Sequence, residues 1–553
     1  MPSTQTCRIS GQQFIVTDED EAFCRDKGFG IPDVCPSERM RQRLVWRNER
    51  GLHYRNCDAT GERILAAYSA DVAFPVYQNE VWWSDRFDPL TYGRDFDFSL
   101  TFFENYKLLS DVVPRQALDV ATPKMFNSDF CNCCSSGKDN YYVFNSFESE
   151  RCLYCKGAVK CFDCVDCYKV FDCEACYESC NCANCSFSVY LYDSKGCDEC
   201  YFSRNLIGCM NCFGCANLHN KQYYFLNKQL TKEEYEKQFA EVMGSHSLSE
   251  LKQTFWEFQK QFPVRYMEGI QNENVQGDYV NTSKGCHECF DCVNLESCRY
   301  CTDLNGKDQG THHNMDVSYF GYGVRHSYGC VAIGTEAENL NFCIRCHMGA
   351  NDGWYSQNCM NGCLNFFGCN GLIKQKYCIF NKQYTVHEYT SLRERIVAHM
   401  KETGEWGQFW PASFFYGGYN ETVAQEYLPL DKSGAEALGY TWFKDTKQES
   451  NGGAREQGDL TLDDSILEKT LVCEETGKEY RIVKPELNFY RKMKLPVPTL
   501  SPNERHFARM ETRKPRQIWE RQCANCKQEI STSYAPERPE KVLCEKCYLK
   551  VVD

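Results

Sequence analysis

Apolar and polar positions along much of this chain follow neither the alternation of a flat strand nor the 3.6-residue period of a helix. In the first half, Cys152, Cys155, Cys161, Cys164, Cys167, Cys173, Cys176, Cys182, Cys185, Cys197, Cys200, Cys209, Cys212 and Cys215 are all separated by multiples of three, with Cys180 out of step. Tyr, Phe and Val lie between them. Such short-range regularity predicts a β-solenoid, in which each coil stacks the same residue type on the coil below. A period of three is also unlike simple strand alternation. The expected fold is therefore mainly β with some α: two cysteine-rich β-solenoid repeats, at 131–230 and 275–384. Each is followed by a capping-box signature, Thr231 with Glu234 and Thr385 with Glu388, which predicts helices at about 231–242 and 385–402.

Two internal repeats organise the rest. Sliding the chain by 466 residues superposes Cys7, Gly11, Phe23, Pro32, Pro36, Glu38, Arg39, Arg43, Arg47, Arg55, Cys57, Ile64, Tyr68 and Val76 on Cys473, Gly477, Phe489, Pro498, Pro502, Glu504, Arg505, Arg509, Arg513, Arg521, Cys523, Ile530, Tyr534 and Val542. About four identities would arise by chance over such a length, so the two ends read as copies of one module. A second offset, of 154, carries Gly208, Cys209, Asn211, Phe213, Gly214, Cys215 and Leu218 onto Gly362, Cys363, Asn365, Phe367, Gly368, Cys369 and Leu372. It also carries the Asn227-Lys228-Gln229 motif onto Asn381-Lys382-Gln383. The expected order is a degenerate zinc-finger-like module (1–93), a connecting helical segment (94–130), the first solenoid, a helical linker (231–274) and the second solenoid. A helical segment (385–443), a flexible linker (444–470, centred on QESNGGAREQG) and a C-terminal zinc-ribbon, treble-clef-like module (471–553) complete it.

The sharpest chemical signal is in the last module. Cys523-x2-Cys526, seventeen intervening residues and Cys544-x2-Cys547 match the spacing of a tetrathiolate zinc site. Two residues within each pair let both thiolates turn toward one ion, and four ligands close the shell, so one structural zinc is expected. The N-terminal copy has Cys57, Thr60, Gln78 and Val81 at those positions, which removes the site there; Trp82 and Trp83 are candidates to fill the space. Half-sites upstream, Cys7 with Ser10 and Cys35 with Glu38, and Cys473 with Thr476 and Ser501 with Glu504, have also lost ligands, although Cys7 and Cys35 could hold an ion with help from Glu38.

The remaining thiols admit packing, metal or iron–sulfur ligation, and disulfides. Packing is favoured because Cys behaves as a small hydrophobe and because the 154 offset exchanges Cys212 for Phe366 and Tyr224 for Cys378. The first residues, MPSTQTCRIS, lack a secretory pattern, and no apolar run is long enough to span a bilayer, so a reducing cytoplasmic setting is expected. The net charge of −14 argues against whole-chain nucleic-acid binding. The basic stretches 37–55, with six Arg against two Glu, and 484–521, with ten Lys/Arg against four Glu, are local exceptions.

Three function classes follow. The leading one is a zinc-binding structural or interaction protein with a protein partner. The second is a nucleic-acid- or ribosome-associated protein, with Arg39, Arg41, Arg43 and Arg47 or Arg505, Arg509, Arg513 and Arg516 on phosphates. The third is a metal-dependent enzyme or metal carrier built around His312, His313, Asp316, His326, Cys343, Cys346 and His347, for which no catalytic motif is present and no catalytic residue is assigned. The segments PDVCPSERMRQRLVWRNERGLHYRNC, YQNEVWWSD, FGCANLHNKQYYFLNKQLTKEEYEK, YNETVAQEYLPL and TSYAPERPEKVLCEKCY resemble large cysteine-rich zinc-ribbon proteins of ultrasmall uncultured bacteria, over most of the chain. Members of that family often carry a CaiB/BaiF-like coenzyme A transferase label, which implies an acyl-CoA enzyme with a catalytic aspartate. No motif in this chain supports the label.

Overall fold

Every third residue from Tyr142 to Leu226 has a positive φ, and the fold follows from that rule. The computed structural model describes residues 2–26, 28–121, 124–307, 310–321, 323–324, 327, 329–334, 343–344, 351–444 and 462–552; most of the expected linker at 444–470, from 445 to 461, lies outside them, and its end carries a short 3-10 helix, Asp464–Glu468. A left-handed residue turns the chain, so four such corners bring it back on itself after twelve residues. The strand pairing has that advance: Lys156 lies beside Tyr168, Tyr168 beside Cys180 and Cys180 beside Tyr192, all parallel. Each left-handed non-glycine residue costs roughly 1–2 kcal/mol. The cost is offset by ladder hydrogen bonds and by an interior from which water is excluded.

The period-three cysteines are the residues immediately after the corners. They are at most 2% exposed and line the inside of the ladder with Val143, Ala158, Val170, Leu191 and Leu206. Cys180 is out of step because it faces outward, into an aromatic cluster with Tyr168, Tyr192 and Phe255. The ladder ends where Lys228–Gln229 turns back antiparallel on Gln222–Phe225.

A second parallel ladder runs from Gly277–Asn281 through Leu364–Phe367 and Lys376–Ile379, and Lys382–Gln383 closes it in the same antiparallel way. Its advance is less uniform. It is twelve residues from Gly277 to Cys289, sixteen from Thr302 to Ser318 and thirteen from Val331 to Ile344 and on to Gln357. Across these unequal advances Cys289, Cys292, Cys298, Cys301, Cys359 and Cys363 remain fully buried. Helices follow both ladders. Lys232–Ser245 and Val386–Glu402 start at Thr231 and Thr385, each with a complete capping box.

The chain ends place the same elements 466 residues apart. Helix Asp18–Asp26 corresponds to Lys484–Met493, helix Pro36–Leu44 to Pro502–Glu511, hairpin His53–Asn56/Arg63–Ala66 to Trp519–Gln522/Glu529–Thr532, and strand Val76–Tyr77 to Val542–Leu543. Both terminal strands pair in parallel with a strand that leads into a ladder, Arg115–Gln116 for the first and Val264–Arg265 for the second.

Equivalent arginines also grip equivalent aspartates. Arg39 and Arg43 hold Asp316 at 2.7 and 2.5 Å, and Arg505 and Arg509 hold Asp166 at 2.8 and 3.0 Å. Both aspartates are corner residues with positive φ. Arg39 stacks over Tyr300 and Arg505 over Tyr154. Arg50 and Arg516 form a further pair at the same offset; Arg516 bridges Asp291 and Asp303.

This geometry corrects the expected phosphate contacts. Arg39, Arg41, Arg43, Arg47, Arg505, Arg509 and Arg516 are buried, and Arg513 is half-buried between Tyr168 and Tyr427. These charges neutralise internal carboxylates instead. Among the described residues no helix is long and apolar enough to cross a membrane.

Removing one partner of such a buried pair strands the other, a loss of about 3–5 kcal/mol. Asp316→Asn should therefore lower the urea-unfolding free energy by that order. Asp139→Asn, at an exposed corner beside Lys138, should change it by less than about 1 kcal/mol.

Candidate metal centre

Four copies of one local structure occur in the terminal modules: a hairpin, a tight knuckle and the start of a helix. In each knuckle the first Cys N–H reaches the carbonyl five residues on: Cys7 to Gln12, Cys57 to Glu62, Cys473 to Lys478 and Cys523 to Gln528, at 2.8–2.9 Å. Four residues past that Cys the backbone is left-handed, at Gly11, Gly61, Gly477 and, in the last copy, Lys527. Glycine suits that turn because it has no Cβ to clash.

The last knuckle brings together the four predicted ligands. The sulfurs of Cys523, Cys526, Cys544 and Cys547 all lie within 4.8 Å of one another, and this is the single group able to hold a metal ion among the described residues. Cys526 Sγ and Cys544 Sγ are 3.7 Å apart. Cys523 Sγ accepts the Cys544 N–H at 3.3 Å, and Cys547 Sγ accepts from Asn525 Nδ2 at 3.3 Å. Cys547 lies in the first turn of helix Glu545–Val552, where the helix dipole favours negative charge.

Loss of water opposes ionisation of Cys523, yet the N–H groups of Cys544, Cys526 and Asn525 pull its thiol down to about 6. Burial and crowding by the other sulfurs push Cys544 up to about 12. Negative charge on Cys523 thus opposes charge on Cys544, and a cation between the sulfurs would relieve that repulsion. A closed set of four sulfurs suits a structural ion and leaves no position for a reacting water.

The other three knuckles have replaced that crosslink. At the second, Thr60 Oγ1 donates to Gln78 Oε1 at 3.0 Å while Gln78 N–H reaches Cys57 Sγ at 3.3 Å. This hydrogen bond, rather than the tryptophan pair, stands where a metal would bridge. Trp82 is buried and donates to the Pro114 carbonyl, but Trp83 is 41% exposed. At the first knuckle Cys35 N–H reaches Cys7 Sγ at 3.3 Å, and Glu38 turns away to Arg41 at 2.9 Å, so the expected help from Glu38 is withdrawn. At the third, Ser501 caps its helix by accepting from Glu504 N–H.

The ladder thiols meet backbone oxygens. Cys155 Sγ lies 3.3 Å from both the Leu153 and Cys164 carbonyls, Cys161 Sγ 3.3 Å from those of Val159 and Val170, and the relation to residues two before and nine after recurs along the column. Serine occupies the same position at Ser188 and Ser203, donating to Ser186 and Tyr201 carbonyls and accepting from Cys200 and Cys215 N–H. A small side chain with one weak donor is what the site needs.

The third predicted cluster does not come together among the described residues. Asp316 is taken by arginines, His312 pairs with Glu296 at the surface, and Cys343 Sγ faces the Gly353 carbonyl. His326, Cys346 and His347 lie outside the described residues, and His313 is exposed. No protein-family model and no curated protein matches the chain.

Cys164→Ser should keep the fold and the metal content, with a stability change of under about 2 kcal/mol by urea unfolding. Cys164→Leu overfills the interior and should cost about 1–3 kcal/mol or more.

Proposed function

We propose that the protein is a zinc-clasped structural or interaction protein, in which two narrow β-solenoids are held side by side by duplicated terminal modules and the last module is locked by one zinc on Cys523, Cys526, Cys544 and Cys547. The observation that carries this reading is the convergence of those four sulfurs on the element that touches both ladders. Val542–Leu543 pairs with Val264–Arg265 ahead of the second ladder, and Arg265 grips Glu545 through two bonds of 2.6 Å. Tyr548, one residue past Cys547, reaches Asn205 and Asn217 on the first ladder. A closed thiolate cage supplies folding energy to a small module with little core of its own, and its stiffness is passed to the joint between the ladders. The stacked outer faces of the solenoids offer long surfaces for a protein partner.

Metal analysis by mass on the purified chain should give one zinc per molecule, and the Cys523/Cys526/Cys544/Cys547→Ser variant should give none. In that variant, amide exchange should accelerate at Asn205, Asn217 and Val264 to Tyr266 and stay slow inside the ladders. Zinc retained by the variant, or many metal ions per chain, would overturn the proposal.

A further inference from the structure

Arg115 is a buried cation that the fold leaves without a counter-ion. It is 5% exposed, and none of the ion pairs among the described residues includes it. Arg39, Arg41, Arg43, Arg47, Arg505, Arg509 and Arg516 each have a carboxylate. Arg115 Nη2 donates to Ser110 Oγ at 2.9 Å, while its Nε has no partner. Its guanidinium lies 3.8 Å from the ring centre of Phe74 and 4.8 Å from that of Tyr416, a stacking that fixes its plane. Asp111, nearby in the chain, is engaged by Lys107 and by the Tyr416 hydroxyl.

Arg115 lines a slot of about 40 Å³ between the N-terminal module and the second ladder, walled by Trp46, Tyr68, Phe415 and Tyr416. That volume has room for about three water-sized groups. Gln357, 1% exposed, also lines the slot, and its Nε2 has no partner. Asn48 and Asn358, the other amides there, are already bonded to the Gly51 and Ala67 carbonyls and to Asn370. Two side chains with unspent donors, one of them charged, thus line the same small aromatic-walled space. A buried charge without a partner is costly, and an arginine edge matches the two oxygens of a carboxylate.

We propose that this slot binds a small monocarboxylate of acetate size, its oxygens on Arg115 and Gln357 and its methyl group against the aromatic wall. Equilibrium dialysis of the full chain with labelled acetate, at fixed chloride and ionic strength, should show saturable uptake of one acetate per chain. Arg115→Met should weaken it by about tenfold or more through loss of the charge-assisted bonds. Gln357→Met should also weaken it severalfold with zinc content and unfolding midpoint unchanged, so the test stands even if Arg115→Met does not fold. Uptake no greater than in a chloride-only competition, or uptake unaffected in Gln357→Met and in any folded Arg115→Met, would overturn the assignment.

Discussion

A chain that turns a left-handed corner at every third residue has very little room inside, and the rest of the structure depends on that constraint. Twelve residues per turn leave an interior where most inward positions hold one small side chain facing main-chain carbonyls. Larger ones such as Leu191, Leu206 and Phe366 are the exceptions, and Phe366 lies against Gly353, where a Cβ would meet its ring. Cysteine is small and apolar, and it carries a weak donor that can be shared between the carbonyl two residues back and the one nine residues ahead. The abundance of thiols is in this account a packing solution, and the exchange of Cys with Ser at Ser188 and Ser203 follows from the same geometry. Among the described residues, four sulfurs converge on a common point only in the last knuckle.

Charge joins the ladders to the terminal modules. Asp166 and Asp316, both at left-handed corners, project from the two ladders toward the helices Pro502–Glu511 and Pro36–Leu44. Lys156 of the first ladder is held by Glu49 and Glu426, and Glu426 also meets His506 at 3.0 Å. Burial opposes ionisation of Glu426, but attraction to Lys156 and the hydrogen bond from His506 outweigh it and hold the carboxyl well below the usual range. These groups are worth more as geometric locks than as net stability, because each ion gave up its hydration to be there.

Much of this was legible in the sequence, for physical reasons that differ from element to element. The tetrathiolate spacing of Cys523 to Cys547 is local chemistry, so it could be read directly. The helices after Thr231 and Thr385 announce themselves through side chains that bond their own first turn. The period of three was visible, but its cause, a backbone rule indifferent to side-chain type, was not: Tyr, Lys, Asp, Glu and Asn all occupy corner positions. The arginines misled because their carboxylates, Asp166 and Asp316, are hundreds of residues away in the chain, so the runs 37–55 and 484–521 look unneutralised when taken alone. The Thr60 to Gln78 bond that stands in for a metal was likewise hidden, since neither residue type suggests a crosslink by itself.

On the reading proposed above, the ladder sulfurs are protonated, hydrogen-bonded thiols and those of Cys523, Cys526, Cys544 and Cys547 are the metal thiolates. Raman spectroscopy of the S–H stretch on the intact protein, prepared without chelator or oxidant, addresses it most directly. The expected result is a strong band, lowered in frequency by bonding to carbonyls, whose intensity corresponds to all the cysteines but four. A band that is absent or far weaker, leaving most sulfurs as disulfides or metal thiolates, would contradict it.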